Sequence, residues 1–458
     1  MTDILDPLTV SPGIFDITAT PLPAHRDDWE RRLLEHPNLL RTIAENVGGP
    51  FHIMYPARIV ENIRAFQKVF ADAEVRGDIY YAKKANKSPS VVGACAKTGT
   101  GLDVSSGGEF LAALRGGIRG ADLMVTGPAK SDDLLELSAR YSALVAIDNL
   151  DELARLAGLG IPSRALLRVQ PPGSESRFGL TDFELDLALT RTDITAIRLE
   201  GFSFHLTGYE AAPRAEMAAS LLERCPEARS LGHPITTISI GGGFGVDYVP
   251  AEAWNAFTKL VNPRWFHNER FLSPKSYYPY HFPEPGPRML AAVLANNDLG
   301  ARLREAGIRL AIEPGRALLD HAGCSVFGIQ GIKTRIAYGV PYDILTVNGS
   351  SLSLSEQWFN SEYLPDPILW PQSAGSMTPT SIGGCTCLEG DMLSWRRVPL
   401  PRAAEMGDLL IYPNTAGYQM DSNESAFHDL PIPPKVVLND VSGVRSFEWH
   451  LEVPRTVD

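Results

Sequence analysis

Two neighbouring lysines, Lys83 and Lys84, follow a short apolar run, 79–82, that has the composition of a buried strand. A lysine at the end of such a strand loses hydration, which lowers the pKa of its ammonium group and leaves an amine that can attack an aldehyde to form an imine. Because side chains alternate across a strand, only one of the two can face a given pocket. The spacing does not decide which one, and a solvated surface pair is the alternative.

Three consecutive glycines, Gly241, Gly242 and Gly243, and one arginine, Arg316, have the chemistry of a phosphate site. Glycines allow backbone amides to approach an anion, and a guanidinium offers a planar pair of donors to phosphate oxygens. A glycine triplet alone is explained equally well by a tight turn. Two donor groups of different kinds strengthen each other, and together they predict a phosphorylated ligand.

Other polar residues carry weaker signals. Glu313 lies three residues before Arg316, so an ion pair between them is an alternative to a catalytic role. His205 ends an apolar run, where a histidine is more often a hydrogen-bonded core residue. Cys385 and Cys387 are too few thiols for a good zinc site, so we predict no metal.

Eight short apolar runs recur along the chain, and helical patterns fill most of the intervals between them. Repeated β/α units of this number predict a (β/α)8 barrel of parallel strands, with an open doubly wound sheet as the alternative. The runs are 79–82, 101–104, 123–126, 144–147, 165–169, 201–205, 236–240 and 310–312.

Polar and glycine residues come directly after these runs. In a barrel such positions share one rim, and the loops after the last two strands commonly bind phosphate. The glycine triplet follows the seventh run and Arg316 follows the eighth, so the order of the motifs predicts one rim site for a phosphorylated ligand. The other rim residues are Lys84, Asp103, Lys130, Asp148, His205 and Glu313.

The rest of the chain predicts further parts. Residues 246–287 are aromatic, proline-rich and irregular, so a lid and a surface loop are equally good interpretations. After Gly323 the helical rhythm gives way to strand-like runs. We expect an N-terminal segment, 1–49, that packs with the β domain, a cofactor-binding barrel, 50–322, and a C-terminal β domain, 323–458.

The composition excludes several classes of protein. A net charge of -12 repels phosphate backbones and anionic lipid surfaces. No stretch of ~18 apolar residues could span a membrane, and the acidic start is unlike a secretory signal. Five scattered cysteines are typical of a reducing compartment. We expect a cytoplasmic protein that binds neither nucleic acid nor a membrane.

Several motifs, in order, resemble the ornithine/diaminopimelate decarboxylase family, whose enzymes use pyridoxal 5′-phosphate (PLP). The family's Tyr-Ala-x-Lys-Ala-Asn aligns with Tyr81–Asn86 and selects Lys84 as the imine former. The resemblance implies fold type III, a TIM barrel of the alanine-racemase type with a second β domain. It is strongest to the branch found in siderophore and secondary-metabolite pathways. The other matching segments are 103–109, 201–209, 241–245, 313–316, 384–391 and 414–418.

The resemblance also implies roles. Lys84, His205 and Cys387 would be catalytic, with His205 stacked on the cofactor ring and Cys387 returning a proton to carbon across a dimer interface. Glu313 would hold a proton on the pyridine nitrogen. The residues implied to bind cofactor are Lys84, Asp103, His205, Thr207, Gly241, Gly242, Gly243, Glu313, Gly315, Arg316 and Tyr418, and those implied to bind substrate are Glu109, Leu388, Glu389 and Asp391.

Departures from the family pattern bear on the substrate. Leu388 stands where ornithine and diaminopimelate enzymes carry an acidic residue facing the distal end of the substrate, and Glu389 stands where a serine is usual. Residues 348–354 replace the usual Asp-x-Gly-Met-Asn-Asp stretch. A modified amino acid therefore fits better than a simple diamine precursor. Whether Thr207 replaces the phosphate-binding serine of His-x-Gly-Ser stays open.

The resemblance implies a homodimeric decarboxylase of an amino acid or amino-acid conjugate, with active sites at the interface. The reaction would pass through an external aldimine and a quinonoid, with protonation by Cys387. Alternatives are a diaminopimelate or ornithine/lysine decarboxylase proper, an amino-acid racemase, and a catalytically silent PLP-binding regulator on the same fold.

Overall fold

The structure, a computed structural model, describes residues 13–36, 38–193, 195–270, 277–354, 362–422 and 425–452. Contacts group the chain into two units. The barrel unit comprises Ala57–Gly245 and Glu284–Leu319, and the strand-rich unit comprises Met1–Pro56, Val246–Pro283 and Asp320–Asp458. Over the described ranges, no helix combines the length and the apolar character that crossing a membrane would require.

The strands are β1 (Phe51–Met54), β2 (Gly77–Ala82), β3 (Gly101–Val104), β4 (Leu123–Val125), β5 (Leu144–Ile147), β6 (Ser163–Arg168), β7 (Ile197–Ser203), β8 (Thr237–Ser239), β9 (Arg309–Ile312), β10 (Gly323–Ala337), β11 (Val340–Val347), β12 (Ile368–Trp370), β13 (Thr378–Gly383), β14 (Met392–Leu400), β15 (Leu409–Tyr412), β16 (Lys435–Asp440) and β17 (Phe447–Leu451).

The helices are α1 (Ile14–Ile17), α2 (Asp28–Glu35), α3 (Leu39–Val47), α4 (Pro56–Asp72), α5 (Pro89–Thr98), α6 (Gly107–Arg115), α7 (Asp132–Arg140), α8 (Leu150–Gly158), α9 (Asp182–Arg191), α10 (Ala211–Ser230), α11 (Ala251–Leu260), α12 (Pro287–Ala295) and α13 (Leu299–Ala306).

The barrel closes because strands β2 to β9 pair in chain order, each parallel to its neighbours, and β9 returns to β2. These strands coincide with the eight apolar runs, so the predicted (β/α)8 barrel is confirmed and the open doubly wound sheet is wrong. Five of the strands contribute to one buried cluster, as expected for a barrel filled by side chains. Its members are Tyr80, Met124, Leu144, Leu166 and Ala311.

The strand-rich unit is built on a sheet with the order β14-β13-β11-β10-β1-β16-β17. Helix α2 begins with a capping box, in which Asp27 and Glu30 each accept a hydrogen bond from the backbone at the other's position. Its apolar side chains Trp29 and Leu33 join Ile53 of β1 and Val326 of β10 in one core. Burial of this amphipathic face ties the N-terminal helices to the sheet.

Two segments lie elsewhere than the sequence suggests. Strand β1 pairs antiparallel with β10 and parallel with β16, although the sequence predicts it as part of the barrel domain, 50–322. Contacts also group Val246–Pro283 with the strand-rich unit. A lid role for residues 246–287 stays a prediction, and residues 271–276 of that stretch lie outside the described ranges.

Lys130, expected on the barrel rim, is instead buried in an ion pair with Glu152 of α8. Its Nζ also donates to the carbonyl oxygens of Gly127 and Ala146, and Glu152 accepts from the amides of Lys130 and Asp148. Burial lowers the pKa of Lys130, against the opposing charge of Glu152. The pair therefore fixes two barrel loops and offers no reactive amine.

We expect Glu152→Ala to lower the free energy of unfolding by about 3 kcal/mol, because it leaves a buried ammonium without its counter-charge. Urea denaturation followed by circular dichroism measures the loss. The control is Glu136→Ala, which removes an exposed pair with Arg140 and should cost less than about 0.5 kcal/mol. Equal losses in the two variants would contradict the structural role of Glu152.

Candidate functional site

The two lysines that follow β2 have different surroundings. Both lie in a 3-10 turn, Lys83–Ala85, so alternation along a strand does not separate them. Lys83 is 4% exposed, whereas the Lys84 side chain is 59% exposed and its Nζ lies 3.8 Å from Oδ2 of Asp103. The prediction that the reactive lysine is desolvated is wrong for Lys84, because the chain leaves the strand before this residue. The structure favours Lys84 as the accessible amine.

Asp103, on β3, is the buried member of this pair. Its side chain is 2% exposed, and its Oδ1 accepts a hydrogen bond of 2.5 Å from Oγ1 of Thr126. A buried carboxylate is costly unless hydrogen bonds or a cation compensate it, and Thr126 and Lys84 supply one of each. Asp103 thus carries a negative charge to the rim beside the Lys84 amine.

Glu313 follows β9 and lies beside the same charges. Its Oε1 accepts a hydrogen bond of 2.6 Å from Oγ of Ser239 on β8. Burial and the charge of Asp103 raise the pKa of Glu313 to about 7, although the Ser239 hydrogen bond and the positive charges of Lys84 and Arg168 oppose the shift. A cation in front of this carboxyl would favour its ionised form.

His205 follows β7 and packs against the glycine loop. A Cβ added at Gly241 would lie 2.7 Å from the His205 Nδ1. Although His205 keeps part of its surface exposed, desolvation by the neighbouring atoms and the positive charges of Lys84, Arg168 and Arg214 lower its pKa to about 4. The imidazole is therefore uncharged at neutral pH.

The glycine loop, Gly241–Gly243, has a backbone conformation that residues with a side chain could adopt only with strain. Gly241 and Gly243 have φ angles of 69° and 83°, and a Cβ at Gly242 would lie 2.7 Å from the carbonyl oxygen of Glu313. Among the described residues, the amides of Gly242 and Gly243 have no hydrogen-bond acceptor. Backbone amides presented in this way can donate to the acceptor oxygens of an anion, so the loop fits a phosphate group such as that of PLP.

The remaining predicted barrel residues lie near the rim in different settings. Arg316 is 7% exposed and begins a 3-10 turn directly after the buried Gly315. Thr207 is exposed in the turn after His205. Glu109 accepts a hydrogen bond from the amide of Ser105, so its carboxylate shapes the turn that starts α6. Direct contacts of these residues with a ligand stay predictions.

A second group lies in the strand-rich unit around Cys387. The thiol is exposed, and its Sγ lies 3.3 Å from Nε2 of His428. Asp391 is buried and accepts four hydrogen bonds, from the Ser350 hydroxyl and the Ser351 amide and from the Thr386 amide and hydroxyl. Asp391 therefore anchors the loop that carries Cys387, and its direct contact with substrate stays a prediction.

Three further predicted residues also belong to the strand-rich unit. Leu388 is 39% exposed and Glu389 is exposed, so both side chains are available to a ligand. Tyr418 is partly buried and has a φ angle of 74°, which is unusual for a residue with a side chain. Its predicted contact with phosphate is not tested by this geometry.

Four polar residues beside these groups were not predicted. Arg168 ends β6, where its Nη1 donates to Oδ1 of Asp148 at 3.2 Å, and its charge lowers the pKa of both Glu313 and His205. A charge inside an apolar run is the signal that could have identified Arg168. The others are Ser239, Arg214 and His428, whose partners lie far away in sequence.

Known proteins share this fold and these motifs. The family model "Pyridoxal-dependent decarboxylase, pyridoxal binding domain" matches residues 56–276. The uncharacterized protein y4yA of Sinorhizobium fredii is 35% identical over 433 residues, covering 90% of this chain and 92% of that protein. Diaminopimelate decarboxylase of Bacillus subtilis is 26% identical, with 90% of each chain covered. The crystal structure of diaminopimelate decarboxylase from Helicobacter pylori complexed with L-lysine has a TM-score of 0.68 at 17% identity, covering 90% of this chain and 95% of that chain.

The raised pKa of Glu313 predicts a pH dependence of stability in the PLP-free protein. The unfolded carboxyl loses its proton near pH 4.5, whereas the folded carboxyl retains it to about pH 7. The stabilisation is therefore complete below the unfolded pKa and is lost as the pH rises through the folded one. We expect Glu313→Gln to flatten this loss in urea titrations between about pH 5 and 8. The exposed Glu61→Gln is the control, and an unchanged slope in Glu313→Gln would refute the shift.

Proposed function

This chain belongs to the pyridoxal-dependent decarboxylase family and is a PLP-dependent carboxy-lyase, and we propose that it removes the α-carboxylate of an amino acid or amino-acid conjugate. One observation carries the proposal. The Lys84 amine is accessible on the barrel rim beside Asp103, close enough to the Glu313 carboxyl to oppose the rise in its pKa. An amine and an acid placed together in this way suit chemistry at an amino acid's α carbon.

Residues of the barrel unit would hold the cofactor. When bound, PLP supplies an electron sink for the pair of electrons left on the α carbon. We assign Nζ of Lys84 as the covalent attachment point. The amides of Gly242 and Gly243, which have no acceptor among the described residues, and the guanidinium of Arg316 would bind the phosphate.

Glu313 would hold the ring in its protonated form. A carboxyl whose pKa is raised by burial and by Asp103 is stabilised as an anion when a cation approaches it. A protonated pyridine nitrogen is such a cation. His205, uncharged at neutral pH because its pKa is lowered, would offer a flat ring for stacking without adding a competing positive charge.

We propose Cys387 as the proton donor to the α carbon, supplied by a second copy of the chain in a homodimer. A thiol can act as a general acid near neutral pH. The His428 Nε2, 3.3 Å from Sγ, can replenish that proton. The proposals of a dimer and of an amino-acid-like substrate both rest on the family resemblance. A cytoplasmic location, which rests on the cysteine content, stays a prediction.

The substrate is proposed to be a modified amino acid. Leu388 is exposed and apolar at the position that would face the distal end, where an acid would be needed to bind a free ammonium group. The second candidate is decarboxylation of diaminopimelate, ornithine or lysine, and similarity to the Bacillus subtilis diaminopimelate decarboxylase favours it. Racemization would require a second base at the α carbon. A silent regulator would bind PLP without releasing carbon dioxide.

Borohydride reduction of the PLP-loaded protein should attach the cofactor irreversibly to Lys84. Tryptic peptide mapping by mass spectrometry would locate the added mass. We expect Lys84→Ala to remove the label, while Lys83→Arg, the matched control, keeps it, because the Lys83 side chain is buried. Labelling at Lys83 or at another site would contradict the assignment.

Carbon dioxide release from a panel of L- and D-amino acids and carboxylated amine conjugates tests the reaction itself. With the best substrate, we expect Lys84→Ala and Cys387→Ala to be nearly inactive, with losses of about 100-fold or more, and the control Cys385→Ala to remain active. If the two residues act from different subunits, mixing the two inactive variants should restore about a quarter of the wild-type activity.

The outcomes separate the candidates. Inversion of substrate without carbon dioxide release would establish a racemase, and PLP binding without turnover of any compound would favour the regulator. Release from diaminopimelate, ornithine or lysine alone would support the second candidate. Failure of the mixed variants to regain activity would show that Lys84 and Cys387 do not complement each other across a dimer.

A further inference from the structure

Arg214, in the first turn of α10, is a buried guanidinium bonded to backbone carbonyls of two loops. Its Nη1 donates to Glu210 at 2.9 Å, and its Nη2 donates to Gly208 at 2.7 Å and to Leu206 at 3.2 Å. Its Nε donates to Gly242 at 3.3 Å. One side chain thus joins the turn 206–210 to the glycine loop.

These bonds set the direction of the peptide groups. In a trans peptide the carbonyl and the following N–H point in opposite directions. Carbonyls of Leu206, Gly208 and Gly242 that face Arg214 therefore turn the next amides, those of Thr207, Tyr209 and Gly243, away from the guanidinium. Arg214 therefore orients backbone amides of both loops so that they point away from its guanidinium.

Arg214 forms no ion pair in the described parts of the chain, and only the charges of Tyr209 and Glu210 oppose the effect of its burial. Burial lowers its pKa, which reflects the cost of enclosing a cation. A buried charge is normally paired, and an anion bound at the glycine loop would add a negative charge near Arg214. Both the orientation and the charge thus favour an anion at this loop.

We propose that Arg214 is a positioning residue of the phosphate site, which holds the turn 206–210 and the glycine loop in register so that their amides bind the phosphate of PLP. This inference rests on the proposed cofactor site. It assigns to Arg214 the ordering of a turn in which Thr207 departs from the family's His-x-Gly-Ser pattern. Arg214 itself acts through the two loops.

The test compares PLP with pyridoxal, which has the same ring and aldehyde but lacks the phosphate. Dissociation constants for both are measured by absorbance and fluorescence titration of PLP-free wild type and Arg214→Met. We expect the wild type to prefer PLP, and Arg214→Met to lose at least about tenfold of that preference, with the affinity for pyridoxal changed by no more than about twofold. Loss of stability alone would weaken both ligands equally.

The control is Arg224→Met, on the same helix, which removes an ion pair with Asp186 on the surface and should leave the preference for PLP unchanged. If circular dichroism shows that Arg214→Met does not fold, Arg214→Lys decides, because it retains the charge but lacks the separate Nε and Nη donors that reach the glycine loop and the turn 206–210. If the folded variant prefers PLP over pyridoxal as strongly as the wild type does, the inference is overturned but the proposed cofactor site is not. Failure of wild type to bind PLP would instead overturn the proposed function.

Discussion

The site depends on two carboxyl groups, Asp103 and Glu313, held where their negative charges repel each other. Strand β2 pairs with β3 on one side and with β9 on the other, so the residues at the ends of β3 and β9 flank the turn that carries Lys84. Burial and the charge of Asp103 raise the pKa of Glu313. Cations relieve this repulsion, and the Lys84 amine, 3.8 Å from Oδ2 of Asp103, supplies one whose charge opposes the rise in the pKa of Glu313.

The fold could be predicted because its signal is local. A parallel strand buried on both faces needs a short continuous apolar run, and a crossover helix needs apolar residues at helical spacing. Each β/α unit can therefore be identified from about 30 consecutive residues. Strand β1 has the same composition as a barrel strand, but its partners are β10 and β16, hundreds of residues away. Such pairing has no signature in the local sequence pattern, so the sequence alone predicts β1 as part of the barrel domain.

The same division holds within the site. Lys84, Asp103, His205 and Glu313 stand at strand ends, where chain position alone places them on the rim. The choice between Lys83 and Lys84 came from the family motif, and it is burial in the 3-10 turn that separates them physically. Arg214 and His428 could not be predicted, because their roles depend on partners 28 and 41 residues away along the chain. The side chains of Arg214 and His428 reach these partners only once the loops have folded.

The loop that carries Cys387 combines a buried anchor with exposed side chains. Asp391 accepts four hydrogen bonds from residues 350, 351 and 386, and binding a substrate ammonium would compete with them. The Asp391 carboxylate thus holds the loop, and Leu388 and Glu389 are exposed side chains next to the thiol. Neither Leu388 nor Glu389 supplies any of the four hydrogen bonds to Asp391. Substitution at these two positions should therefore leave the anchoring of the loop, and with it the position of Cys387, unchanged.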